Sequence, residues 1–176
     1  MLSEKYGWLA REPGPKMIVE ALRLYGTHEV PGAVNNPVII AWAKEIGERV
    51  ADVYKADSIP WCGLFMAVVA MRAGKEILRN SLWALSWSAF GATTDVPALG
   101  DVLVFARNGG GHVGLYVGED ETAFHVLGGN QSDAVSIKWI ARARLYAARR
   151  PTYRAQPANV RPIPLTASGS LSVNEA

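Results

Sequence analysis

The chain has 176 residues, 49% hydrophobic and 19% charged, with a net charge of +2. That is the length of one domain and the composition of a folded one, which excludes a disordered or fibrous chain. No apolar run of about 18 residues occurs, so no membrane-spanning helix is expected, and the single cysteine, Cys62, excludes an internal disulfide and a multi-cysteine zinc site.

The opening, MLSEKYGWLAREPGP, lacks a basic segment followed by an apolar one, so no secretory signal is expected. Residues 15–25 place Ile18, Ala21, Leu22 and Tyr25 at helical spacing, and Gly26 is a natural stop. THEVPGAVNNP reads as a loop. Residues 37–50 predict an amphipathic helix with Ile39, Trp42, Ala43, Ile46 and Val50 on its apolar side. After a polar break, WCGLFMAVVAMRAG is apolar on nearly every side and predicts a buried helix ending at Gly74. Asp57 or Ser58 is placed to cap it, and Pro60 suits its first turn. Residues 81–91 predict a short helix or loop carrying Trp83 and Trp87.

From Gly100 the period changes. DVLVFA, HVGLYVG, TAFHVL, AVSIKW and LYAAR read as strands, separated by the turns NGGG, EDE and GGNQSD and stopped by Pro151. Helices followed by short antiparallel strands predict an α+β domain over residues 1–154, with 155–176 as a flexible tail. Charge is uneven: residues 1–133 hold 15 acidic and 11 basic side chains, whereas 134–176 hold 7 basic and one acidic. Such an end can attract polyanions. No zinc-finger, P-loop or RNA-recognition motif accompanies it, so nucleic acid is not an expected partner.

Cys62 falls in the first turn of its helix, where free N–H groups and the helix dipole favour a thiolate. A thiol nucleophile needs a base, and the chain has three histidines. His28 lies in the early loop, and His125 sits within an apolar strand, where a packed core histidine is expected. His112 opens a strand after three glycines that leave room for another segment. If Glu119–Glu121 is a three-residue turn pairing Gly118 with Thr122, His112 pairs with Gly128. The next residue on its face is then Asn130, and His125 pairs with Leu115 on the opposite face. That register groups Cys62, His112 and Asn130, with Gln131 as the neighbouring alternative for orienting the imidazole; a one-residue slip would exchange the faces.

PWCGLFMAVV, ALSWSAFG, GDVLVFAR, GGHVGLYVGED and VLGGNQSDAVS, in that order, resemble the NlpC/CHAP superfamily of papain-like cysteine peptidoglycan hydrolases, and especially a phage-associated, endolysin-like branch. Gly26–Gly32 and Asn35–Pro37 share in the likeness, which runs from about residue 15 to 151. The resemblance implies N-terminal helices packed on an antiparallel sheet. It implies Cys62 as nucleophile, His112 as base and Asn130 as third residue, with the Cys62 N–H in the oxyanion hole. Asp57 is carried over as a groove residue, and Trp61, Trp83, Trp87 and Gly111 as groove or substrate-binding positions.

The implied activity is cleavage of a peptidoglycan amide, as a stem-peptide endopeptidase or an N-acetylmuramoyl-L-alanine amidase, without cofactor or metal. The alternatives are a catalytically silent wall-binding or virion module and a related thiol acyltransferase. No DxDxDG run is present, so no structural calcium is expected. The basic C-terminal region is expected to attract anionic envelope polymers. A monomer is expected, made without a signal peptide and acting on the wall after release or from a virion.

Overall fold

The computed structural model describes residues 1–32, 34–107, 109–166 and 171–172. Asn108 of the predicted NGGG turn and tail residues 167–170 and 173–176 lie outside them. The architecture is α+β: helices precede an open, six-stranded antiparallel sheet.

Helix α1 spans Lys16–Arg23 and buries Met17, Ile18 and Ala21. The predicted helix over 37–50 is instead two, α2 (Pro37–Ile46) and α3 (Glu48–Val53). Gly47 between them has φ 138°, a backbone that turns the chain and interrupts the hydrogen-bond ladder. The Asn36 side chain caps α2 by accepting from the Val38 N–H at 2.8 Å. Helix α4 (Cys62–Arg72) is buried from Cys62 through Ala70, as its all-round apolar sequence requires.

No side chain caps α4; its N-cap is Trp61. The expected capping by Asp57 or Ser58 is thus corrected. The buried Asp57 carboxylate accepts instead from the backbone N–H groups of Val30 (3.0 Å) and Asn36 (2.7 Å). It therefore pins the 26–37 loop beside the start of α4 rather than facing a groove.

The strands are β1 (Ala92–Thr93), β2 (Val102–Arg107), β3 (Gly110–Glu119), β4 (Ala123–Gly128), β5 (Ser136–Ala141) and β6 (Leu145–Arg150). Their order across the sheet is β1-β6-β2-β3-β4-β5. Strand β4 is buried at every position, so it is covered on both faces. The core runs between α4 and the sheet, through Trp42, Trp61, Phe65, Phe105 and Tyr116.

Three elements have no sequence forecast: 3₁₀ helices at Glu4–Arg11 and Arg142–Arg144, and strand β1. The tail also departs from expectation. Val160 and Ile163 are buried, and Leu165 packs against the core. The Ile163 N–H donates to the Tyr116 hydroxyl at 3.0 Å, and Glu119 exchanges backbone hydrogen bonds with Ile163 and Leu165. This segment covers the outer end of β3 and is part of the domain.

The basic C-terminal region is largely consumed by the fold. Arg150 binds Asp101, whose side chain is fully buried, through both nitrogens at 2.8 and 3.0 Å. Arg149 donates to the carbonyls of Phe90 and Gly91, and Arg142 pairs with Glu119 at 2.7 Å. The Arg149 and Arg150 guanidiniums hold β6 and the 90–101 segment together, and Arg142 ties its turn to the β3–β4 turn. No helix among the described residues is long and apolar enough to cross a membrane.

Candidate active site

Cys62 begins α4 and is 6% exposed. Burial pushes its thiol above the ordinary value; N–H groups of Val113 and Gly63, the positive charge of Arg107 and its own N–H act in the opposite direction. The resting group is therefore a neutral thiol with thiolate-stabilising donors in place. The Val113 N–H reaching the sulfur also locates His112, the preceding residue of β3, at the helix start.

His112 is fully buried, and its Nε2 lies 3.0 Å from Gln131 Oε1. The Gln131 amide is fixed from its other side: Nε2 donates to the carbonyls of Val126 (3.2 Å) and Ser136 (2.6 Å). Both amide hydrogens are thereby used, so Oε1 must be the atom facing the imidazole. An oxygen there accepts, so His112 donates through Nε2–H, and Nδ1 carries the lone pair. Gln131 thus selects the tautomer that leaves the lone pair on Nδ1.

The expected third residue, Asn130, does not orient His112. A bulge between Tyr116 and Gly118 shifts the β3–β4 register, pairing Leu115 with Leu127 and Gly118 with His125. The predicted pairings of His112 with Gly128 and His125 with Leu115 are replaced. Asn130 then takes a left-handed backbone, φ 55°, and the following residue turns onto the imidazole. The buried Asn130 Oδ1 has no hydrogen-bond partner among the described residues.

Glycines set the clearances. A Cβ on Gly128 would lie 3.1 Å from His112 Nε2 and 3.0 Å from Gln131 Oε1, and one on Gly129 would lie 2.5 Å from Phe65 Cβ. The GGNQ turn can close onto α4 and the imidazole only without side chains at those two positions.

The aromatic groove residues separate. Trp61 and Trp87 are fully buried; Trp61 Nε1 donates to Glu29 Oε1 at 2.7 Å and Trp87 Nε1 to the Ser81 carbonyl at 2.8 Å. They are core, not groove. Trp83 is 55% exposed. It belongs to a segment that touches both sides of the site: the Ser81 and Leu82 carbonyls lie against Gly63, and Leu85 lies against Gly111. Gly111 therefore makes room for Leu85. Glu29, missed in the sequence, forms a partly exposed acidic wall beside Trp61. Burial raises its carboxyl above the ordinary value, the Trp61 hydrogen bond opposes this, and Asp133 and Asp57 add to the rise.

His125 stands apart from this group. Its Nδ1 meets the Tyr6 hydroxyl at 2.8 Å, its Nε2 meets Asp120 Oδ2 at 3.0 Å, and its ring stacks on Trp139. Burial pushes its pKa below 6.5, against the pull of Asp120. Burial pushes the Asp120 carboxyl up, but donors from His125, Thr122 and Ala123 hold it well below the ordinary carboxylate range. The unfolded chain therefore protonates His125 first, so stability is expected to fall as pH drops below about 6.5, and Asp120 adds a loss below about 3.8. Thermal melts of wild type and His125→Gln from pH 8 to 5 check this. A wild-type slope no steeper than the variant's would contradict it.

Among the described residues, no cluster of three His, Cys, Asp or Glu side chains is arranged to hold a metal. A scan against protein-family models and a search of curated proteins find no match.

Proposed function

We propose that the chain is a cysteine hydrolase of the papain-like NlpC/CHAP type, cleaving an amide bond in bacterial peptidoglycan. The observation that carries the reading is the Cys62 thiol at an uncapped helix start with the Val113 N–H at its sulfur, which sets the preceding β3 residue, His112, beside that start with its Nε2 on Gln131. The order of motifs PWCG, GGHVGLYVG and GGNQ supports the substrate class.

Each step follows from those roles. The Cys62 proton passes to His112 Nδ1 as the sulfur attacks the amide carbonyl carbon. Backbone N–H groups of Cys62 and Gly63 stabilise the oxyanion. The tetrahedral species collapses, the C–N bond breaks, and the leaving amine takes the proton from His112. Water then attacks the thioester carbonyl, losing a proton to His112; the C–S bond breaks, His112 returns that proton to the sulfur, and the carboxylic acid leaves. The raised thiol pKa fits a transfer that occurs during attack rather than a standing ion pair.

Purified peptidoglycan incubated with the protein tests the bond class. New amino groups appearing in step with new carboxyls is the expected result; new reducing sugar ends would overturn it. Masses of the released fragments separate endopeptidase from amidase, and an added amine appearing in the product would identify an acyltransferase. Burial of all three groups favours one other reading, a silent wall-binding module, which predicts wall binding with no new amino groups. The exposure of Trp83, in the segment that packs on Gly63 and Gly111, supports it as an aromatic rim of the groove. Trp83→Ala is expected to raise KM several-fold while kcat changes by less than about twofold, because it binds ground and transition states alike. Steady-state kinetics on a soluble fragment check this, and an unchanged KM would remove Trp83 from the groove.

A further inference from the structure

A second site lies at the far end of α4. Beyond Arg72 the chain forms one wall of a cleft of about 1070 Å³. The helix separates it from Cys62 by about 16 Å, at about 1.5 Å per residue over 11 residues. Its charged lining is Lys16, Lys75, Arg79 and Arg154, against the single acid Glu76. Among the described residues none of these four cations has an ion-pair partner. Lys75 Nζ donates to the Thr152 carbonyl and leaves its remaining hydrogens toward the cleft, whereas Arg150 of β6 is paired with Asp101.

The cations come from three separate segments: the start of α1, the turn after α4 and the chain after β6. Folding therefore gathers charges that no sequence run displays. Burial pushes the Lys75 ammonium below its ordinary value and the charge of Lys16 adds to this, so the two repel across the cleft. A bound anion would relieve that repulsion. The volume is of the size that holds a ligand larger than a single ion, roughly 300–1,000 Å³.

We propose that this cleft binds a polyanion of repeated phosphates without bases, a poly(glycerol phosphate)-type chain, through Lys16, Lys75, Arg79 and Arg154. The two arginines supply planar donors matched to phosphate oxygens, and the two lysines supply point charges. The cleft offers bases little to stack on: Phe90 is 5% exposed, and the Lys75 ammonium already covers one face of the Tyr153 ring at 4.6 Å. The site goes beyond the proposed hydrolysis and needs no turnover to be tested.

The test is calorimetric titration of the full chain with synthetic poly(glycerol phosphate), inorganic phosphate and poly(uridylate), at low and at raised salt. Arg79→Gln/Arg154→Gln is compared with Lys44→Gln/Arg49→Gln on another exposed surface. Arg79 and Arg154 are exposed, so the first variant should keep the wild-type Tm. Wild type is expected to bind the polymer, more weakly as salt rises, and the cleft variant roughly tenfold more weakly with the control unchanged. No binding by wild type, or equal losses in both variants, would overturn the site. Inorganic phosphate binding as tightly as the polymer would overturn the polymeric ligand, and tighter binding of poly(uridylate) would overturn its lack of bases.

Discussion

Cys62→Ala is expected to abolish amide cleavage, with a loss of at least about 10⁴-fold in kcat, while the protein stays folded. The activity half follows from the absence of a substitute: Cys62 is the only thiol in the chain. The stability half follows from its surroundings. The side chain is small and buried, and alanine removes one sulfur from the first turn of α4, at a cost of about 1 kcal/mol. The start of α4 is held by its backbone and by Trp61, and both survive the change. Fragment release and a thermal melt on one preparation check both halves. A folded Cys62→Ala protein that still releases fragments would show that the sulfur is not the attacking atom.

Gln131→Ala is expected to lower kcat by roughly 10²-fold or more, whereas Asn130→Ala should leave kcat within about threefold of wild type. Without the Gln131 oxygen, nothing selects the Nε2–H tautomer, and part of the population presents a protonated Nδ1 to the thiol. The Val126 and Ser136 carbonyls also lose their donor, so a Tm decrease accompanies the kinetic loss. The kinetic effect is separated from the structural one by the pH profile. A population of wrong tautomers shifts the kcat–pH curve, which a uniform loss of folded protein does not. Equal kinetic losses in Asn130→Ala and Gln131→Ala would return the orienting role to the turn as a whole.

Much of this arrangement is legible in the residues. The all-apolar α4, the β2 to β6 strands and the position of Cys62 follow from periodicity and turn chemistry. The two rings lie apart, His112 on Gln131 and His125 between Tyr6 and Asp120. The choice between Asn130 and Gln131 was not legible, because the left-handed backbone of Asn130, φ 55°, past the end of β4 is what brings Gln131 onto the imidazole. The role of Asp57 was hidden because its donors, the backbone N–H groups of Val30 and Asn36, lie 27 and 21 residues away. The 3₁₀ helix at Glu4–Arg11 and the packed tail are held by tertiary contacts, such as Tyr6 on His125 and Ile163 on Tyr116, that no periodicity announces. Within the basic C-terminal run, a charge count does not show that Arg149 and Arg150 are spent inside the fold.

The central claim is that the Cys62 thiol, with His112 as base, opens a peptidoglycan amide through a thioester that water resolves. The most direct measurement is digestion of purified peptidoglycan in ¹⁸O-water by wild type and Cys62→Ala, with the fragments weighed by mass spectrometry. The account predicts fragments from wild type alone, each new carboxyl carrying one ¹⁸O atom. Release of the same fragments by both proteins, or by neither across walls of different chemistry, would contradict it.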